Sequence, residues 1–310
     1  MDPNIPYFAV DLAAPDLSVW RRGNTGTEGV WSFSAGPGPH AVLVSLLHGN
    51  EIAGAIVLAA LLAAGVRPAR GRLTLVFANL AAFDQFDPAQ PTASRFLDED
   101  LNRLWDPAVL DGPRISHELG RARALRPLID SADVLLDLHS MLWPSDALIL
   151  CGPSAKGRAL AAAVGRPDLV VADSGHQTGP RLIDYERFVD PAQSCAACLV
   201  EAGQHWQPGT VQVTRGCVDA LLRHLAMVPA VAGDGAGQRW AEVTLAVTAA
   251  TAGFAFVQPF RGGEVIAKRH TLIALDGTTE IRTPHDDCLL VMPSLRPSRG
   301  HTAVRLARFV

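Results

Sequence analysis

The sequence contains no apolar run of the ~18 residues that a membrane span needs. Its most apolar stretches, around 55–66 and 159–164, are Ala-rich and suit buried helices, so no membrane partner is expected even though mean hydropathy is slightly positive. The opening residues, MDPNIPYFAVDLAAPD, have neither a basic start nor an apolar core, which argues against a signal peptide. Basic residues are not in excess. The formal net charge is −4, whereas a nucleic-acid partner would call for a basic stripe. Cysteine is scarce and odd in number, at five, which favours reduced thiols in a cytoplasm over a disulfide framework. Cys195 and Cys198 form a C-x-x-C pair, but they lie in the strand-like SCAACLVEA. A spacing of three on a strand turns the two side chains to opposite faces, so they read as small buried residues. Internal repeats and low-complexity tracts are also missing.

What the chain does have is core. With 48% hydrophobic and 19% charged residues in 310, it can fill one large or two modest domains. From about 41 to 227, strand and helix patterns alternate. AVLVSLLH (41–48), RLTLVFAN (72–79), ADVLLDLH (132–139), DALILCG (146–152), DLVVAD (168–173) and CAACLVEAG (195–203) are apolar runs suited to strands covered on both faces. Between them, 51–64, 117–130, 154–165 and 210–228 read as helices, the first ending before Gly65 and the third starting at Ser154 as N-cap. Pro127 is expected to kink or end the second. Residues 80–112 are irregular, and a loop of that length in a compact domain is more often functional than idle. The alternation predicts an α/β fold: a mostly parallel mixed sheet with helices on both faces. Near Val228 the texture changes. PAVAGDGAGQ (229–238) reads as a linker, and short alternating stretches then follow, separated by Gly, Pro and Asp turns. The expected division is residues 1–228 as the α/β domain and 229–310 as a small C-terminal all-β domain.

The chemistry concentrates at strand ends. LVSLLHGNEIAGA (43–55) places His48 at the end of a strand and Glu51 at the start of a helix, with Gly49 and Asn50 making the turn, so both side chains can converge on one point. Alone, H-x-x-E is weak, because a helix-opening Glu satisfying the dipole beside an incidental His explains it as well. His139 strengthens it, since ligands of open α/β sheets bind beyond the C-terminal strand ends and His48 occupies the same kind of position. Two imidazoles and a carboxylate form the ligand set of a catalytic zinc site. Asp137 would either orient a ligand or act as a cap. In DEDLNRLWD (98–106), Asn102 and Arg103 suit a carboxylate, though adjacent residues need a kinked backbone to reach one ligand, and a solvated polar loop is the alternative. Arg95 lies upstream in the same loop. Glu201, in CLVEAGQHW, is a strand-end carboxylate whose desolvation would lift its pKa towards that of a general base, unless nearby backbone satisfies it. His176, His205, His224 and His270 read as surface or capping residues, Trp143 and Trp206 as core or pocket wall, and Lys268-Arg269-His270 as a solvated turn.

HGNE, DLNR, DLH and a strand-end VE-x-G, in that order over roughly 41–205 and with a β-rich tail behind them, resemble the succinylglutamate desuccinylase/aspartoacylase family of the zinc carboxypeptidase-like group. The resemblance implies one Zn2+ per chain on His48, Glu51 and His139, with Glu201 as catalytic glutamate and Arg95 polarising the scissile carbonyl. It implies a substrate carboxylate held by Asn102 and Arg103, in a loop that Asp100 steadies. Aspartoacylase itself reads an acidic side chain with Tyr and Arg residues between the second His and the catalytic Glu. In the corresponding 175–193 the candidates are Arg181, Tyr185 and Arg187.

The expected activity is zinc-dependent hydrolysis, by metal-activated water, of the amide in a small N-acyl amino acid or related carboxylate-bearing acyl compound. The alternatives are a zinc carboxypeptidase acting on peptides, an esterase on a related acyl compound, and a non-catalytic binding protein on the same fold. The expected partner is a small molecule, and a homo-oligomer is compatible with the sequence.

Overall fold

A computed structural model describes residues 8–176, 178–229 and 237–310. In chain order, the first half comprises strands β1 (Val30–Ala35) and β2 (His40–Ser45), helix α1 (Ile52–Ala63), strand β3 (Gly71–Phe77), the short helices α2 (Leu80–Phe83) and α3 (Pro107–Leu110), helix α4 (His117–Asp130) and strand β4 (Val134–Met141). Strand β5 (Leu148–Leu150), helix α5 (Ala155–Val164), strand β6 (Leu169–Ala172), the short helix α6 (Glu186–Val189), strand β7 (Ala196–Gln204) and helix α7 (Pro208–His224) follow. The tail holds β8 (Arg239–Thr248), β9 (Phe254–Phe256), β10 (Val265–Ile266), β11 (Leu272–Asp276), β12 (Thr279–Arg282), β13 (Cys288–Val291) and β14 (Thr302–Phe309).

One mixed sheet of eleven strands runs β1-β3-β2-β4-β7-β5-β6-β8-β14-β13-β10. Its centre is the parallel set β3-β2-β4-β7. The sheet alternates because its strands feed two cores. Ala41 and Leu43 of β2 pack with α1, α5 and α7 residues such as Leu58, Leu160 and Val218. Val42 and Val44 pack on the other face, with Leu119, Ala122, Leu125 and Ile129 of α4. The expected two-sided α/β sheet is therefore present. Each fully buried Leu or Val contributes on the order of 1.5–3 kcal/mol. Cys195 and Cys198 fall in opposite cores, as their spacing requires, and all five cysteines are free and buried.

One expectation changes. α4 runs through Pro127 to Asp130 as one helix. Pro127 removes a single hydrogen bond in the last turn, and the burial of Leu125 and Ile129 on either side of it holds the helix together. The tail does form an antiparallel β region, with a separate sheet of order β12-β11-β9. Yet β8 pairs in parallel with β6, so the main sheet continues into the tail through backbone hydrogen bonds. Within the expected linker, 230–236 lie outside the described residues. Among the described residues no helix is long and apolar enough to cross a membrane.

α1 approaches the sheet closely at Gly54, where a Cβ would come 3.0 Å from the Cβ atoms of both Ser45 and Leu138. This packing fixes the start of α1, and hence Glu51, against the ends of β2 and β4.

Candidate active site

His48 follows β2 by three residues, in a turn that Leu46 enters with φ of 59°. Gly49 has no room for a side chain: a Cβ would lie 2.4 Å from the Ala82 carbonyl carbon and 2.6 Å from the Ser94 oxygen. Its N–H donates to the Arg95 carbonyl at 3.0 Å, tying the His48 turn to the long loop. Glu51 occupies the N-cap position of α1 but makes no capping bond. Its carboxylate turns inwards instead, so helix-dipole compensation does not account for it.

The two oxygens of Glu51 are divided between the histidines. His48 Nδ1 lies 2.7 Å from Oε1, and His139 Nδ1 lies 3.0 Å from Oε2. The other ring nitrogens each meet a carboxylate: His48 Nε2 is 2.9 Å from Asp100 Oδ1, and His139 Nε2 is 2.9 Å from Asp137 Oδ2. When the His139 ring is neutral, the Asp137 carboxylate at Nε2 favours the tautomer that leaves Nδ1 free to bind a cation, whereas His48 Nε2 also meets Arg95 Nη2 at 2.8 Å. Asp137 thus orients a histidine and is not a cap. Ligand atoms from His48, Glu51 and His139 all lie within 4.8 Å of one another, and all three residues are buried.

Burial opposes the charge on Glu51, but the positive charges of His48 and His139 outweigh it and hold the carboxyl well below its usual range. Burial likewise works against His139, and Asp137 and Glu51 overcome it to raise its pKa well above normal. Glu201 is the opposite case. Burial, reinforced by the negative charge of Glu51, pushes it up to about 8. Its Oε2 and the Oδ1 of Asp137 are buried acceptors without a hydrogen-bond partner among the described residues. Orphan acceptors beside a His–Glu–His cluster are the environment a cation would relieve, so the donor set fits a metal such as zinc.

The long loop supplies the other wall. Arg95 Nη1 donates to Glu51 Oε1 at 3.1 Å and Nη2 to Asp100 Oδ2 at 3.3 Å. Asp100 caps a 3-10 turn at Leu101–Arg103 by accepting from Asn102 N at 2.8 Å. That turn, with Asn102 at φ −87° and ψ 28°, is the kink that adjacent Asn102 and Arg103 require. Asn102 Oδ1 accepts from Leu182 N at 2.7 Å, while its amide nitrogen lies 3.4 Å from His139 Nε2. Arg103 donates to the Asn102 carbonyl at 2.6 Å and stands 3.9 Å from Asp100. All eight residues singled out in the sequence, His48, Glu51, Arg95, Asp100, Asn102, Arg103, His139 and Glu201, belong to this one region, linked by these contacts and by the sheet.

The candidates in 175–193 are engaged elsewhere. Arg181 is bidentate to Asp173, at 2.9 and 2.7 Å, and also bonds Asp184 at 2.6 Å. The Tyr185 hydroxyl donates to Asp130 at 2.9 Å and accepts from Arg126. Arg187 donates to the carbonyls of Ile129 and Ala132. His205 corrects its surface reading. It is 2% exposed, with Nδ1 2.7 Å from Ser140 Oγ, and burial brings it down to about 4. Its position four residues after Glu201 was the available signal. Glu118 gave none. It is fully buried and accepts from the backbone N–H groups of Leu97, Asp98 and Glu99 at 2.7, 3.0 and 3.2 Å, and from Asn79 Nδ2 at 3.0 Å.

Fold and site define a class: an α/β protein with a buried His–Glu–His cluster at the C-terminal ends of parallel strands. The chain belongs to the succinylglutamate desuccinylase/aspartoacylase family, whose catalytic domain matches residues 37–225, and it is thereby placed among deacylases. Its fold is shared with a succinylglutamate desuccinylase from Vibrio parahaemolyticus, at TM-score 0.70 and 17% identity over 91% of this chain and 86% of that one. A succinylglutamate desuccinylase/aspartoacylase from Rhodobacter sphaeroides gives TM-score 0.68 at 18% identity, covering 91% and 88%. The ectoine utilization protein EutE (DoeB) from Ruegeria pomeroyi gives 0.62 at 18%, covering 90% and 88%. No curated protein matches the sequence.

Proposed function

We propose that the protein is a zinc-dependent deacylase that hydrolyses the amide of a small N-acyl amino acid or a related carboxylate-bearing acyl compound. One observation carries this reading: two histidines present Nδ1 to a shared glutamate, each braced at Nε2 by a carboxylate, beside a buried and unpartnered Glu201. His48, Glu51 and His139 would hold one Zn2+ per chain. The ion, when bound, supplies Lewis acidity and lowers the pKa of a water towards ~7.

The chain's own groups do the rest. Glu201 takes the proton of the attacking water and delivers it to the leaving amine, a role its raised pKa suits. Arg95, already turned towards Glu51, offers positive charge to the developing oxyanion. The Asn102 amide and the Arg103 guanidinium fix the substrate carboxylate, which holds the scissile bond at the His48–Glu51–His139 cluster. Asp100 keeps these two residues in their turn. Five buried free thiols suit a reducing cytoplasm.

The test is a panel of N-acyl amino acids, matching esters and peptides offered to the zinc-loaded protein. Release of the free amine from N-acyl amino acids, abolished by chelation and restored by zinc, is expected. Turnover confined to peptides, or none on any member, would overturn the reading.

A further inference from the structure

His205 is a buried histidine that the proposed reaction does not use. It is the first residue after β7, and both its backbone and its ring bond to the end of β4. Its N–H donates to the Met141 carbonyl at 2.9 Å, and its Nδ1 lies 2.7 Å from the buried Ser140 Oγ. Ser140 in turn donates its own N–H to Glu51 Oε2 at 3.0 Å. The peptide group that carries this N–H is planar, so its tilt is set by whatever holds Ser140 and His139.

The sheet alone does not hold Ser140. His139 pairs with Glu201, but the next pair is Met141 with Gln204, so a step of two residues on β4 meets a step of three on β7. Such a bulge interrupts the ladder and re-aims the side chains around it. Gly203 lies in it with φ of 120°, a conformation that favours glycine. Where the regular pairing lapses, the His205 ring supplies the link. Trp206 extends it: its Nε1 donates to the Asn50 carbonyl at 3.0 Å, in the turn between His48 and Glu51. The two residues after β7 thus reach both segments that carry the His48–Glu51–His139 cluster.

We propose that His205 is a positioning residue for this cluster: through Ser140 it fixes the backbone N–H that orients the Glu51 carboxylate. The inference goes beyond the deacylase reading but rests on the zinc site which that reading assigns. His205 is not a further ligand. Among the described residues the group able to hold a metal is His48, Glu51 and His139, and the Nδ1 of His205 already meets Ser140. Burial brings its pKa down to about 4, so near neutral pH the ring contributes a hydrogen bond and not a charge.

The experiment measures Zn2+ affinity, against a competing chelator, for wild type, His205→Phe, His205→Asn, Ser140→Ala and the double variant His205→Phe/Ser140→Ala. His205→Phe keeps an aromatic ring in place and removes Nδ1. It should weaken zinc binding ~10-fold, the lower end of the effect of a partner behind a metal ligand, because it acts through Ser140. The amide of His205→Asn returns a polar atom near the Nδ1 position, so this variant should bind zinc more tightly than His205→Phe. Ser140→Ala keeps the N–H to Glu51 and loses the hydroxyl. It should cost about as much as His205→Phe, and the double variant should be no weaker than the weaker single one, because both changes remove one contact. Unchanged affinity in His205→Phe, no recovery in His205→Asn, or losses that multiply in the double variant would overturn the inference and leave His205 as packing. If His205→Phe does not fold, Ser140→Ala carries the test, and affinity equal to wild type then counts against the proposal. The affinities are read without turnover. A protein that shows these changes in zinc binding yet hydrolyses no acyl compound therefore fails the deacylase reading and keeps the role of His205.

Discussion

His139 and Glu201 are direct register partners on the neighbouring parallel strands β4 and β7. Paired residues of a parallel ladder project to the same face, so the backbone alone sets an imidazole beside a carboxylate. The two differ in what meets them. His139 has Asp137 and Glu51 to hold its charge, while Glu201 Oε2 is buried without a hydrogen-bond partner among the described residues. That asymmetry is the reason for proposing His139 as a ligand and Glu201 as a base.

Glu201→Gln should lower kcat by ~10²- to 10⁴-fold, the usual contribution of a general base or acid. Zinc content should stay at one per chain, because Glu201 makes no bond to His48, Glu51 or His139. Elemental analysis beside steady-state kinetics checks both. An active variant removes Glu201 from the mechanism, and a metal-free one makes it a ligand.

His48→Ala and His139→Ala should each lose stoichiometric zinc. Zinc should also raise the unfolding midpoint of the wild type but not of these variants. A ligand that binds only the folded chain stabilises it by ~2.7 kcal/mol at a free concentration of 100 Kd. Thermal scans over a zinc titration give the measurement, and an unchanged zinc response in both variants refutes the ligand set.

The histidines and Glu51 were legible because each sits where an apolar strand ends, and a strand end is visible in the pattern of a few consecutive residues. Glu201 and the Asn102–Arg103 turn were legible for the same local reason. Arg305 was not. It stands in TAVRLARFV, whose alternation suits an arginine facing solvent, yet it is buried beside Asp173. Arg181 misled in the other direction. Its place in the chain suggested a substrate reader, but Asp173 and Asp184 come to it through the fold. The tail's strands were readable singly, whereas the pairing of β8 with β6 is long-range and leaves no local trace.

Asp137→Ala should weaken zinc binding by ~10- to 100-fold, the typical effect of removing a carboxylate behind a histidine ligand. Asp137 touches His139 at Nε2, on the ring edge away from Glu51, so its loss frees the ring orientation without deleting a ligand atom. Competition with a chromophoric chelator gives the affinity. Unchanged affinity would make the Asp137–His139 contact incidental.

Glu118 tests whether the loop carrying Arg95, Asp100, Asn102 and Arg103 is held from behind. Its carboxylate collects three consecutive loop N–H groups, and Asp98 answers by accepting from His117 N at 2.7 Å. Ser116 Oγ also donates to Glu99. Burial opposes the charge of Glu118, but these backbone bonds and Asn79 outweigh it and lower its pKa. The sign follows. A lowered folded-state pKa gives stability that is complete above the usual carboxylate range and disappears as pH falls through the folded value. Glu118→Gln should therefore cost ~1–3 kcal/mol near neutral pH, through weakened or unmatched buried bonds. The difference from wild type should shrink in acid. KM should rise more than kcat falls if the loop holds the substrate carboxylate as proposed. Denaturant unfolding across pH, beside the kinetic split, reads both effects. A stability difference that does not change with pH would detach it from the charge of Glu118, and an unchanged KM would detach Glu118 from the substrate loop.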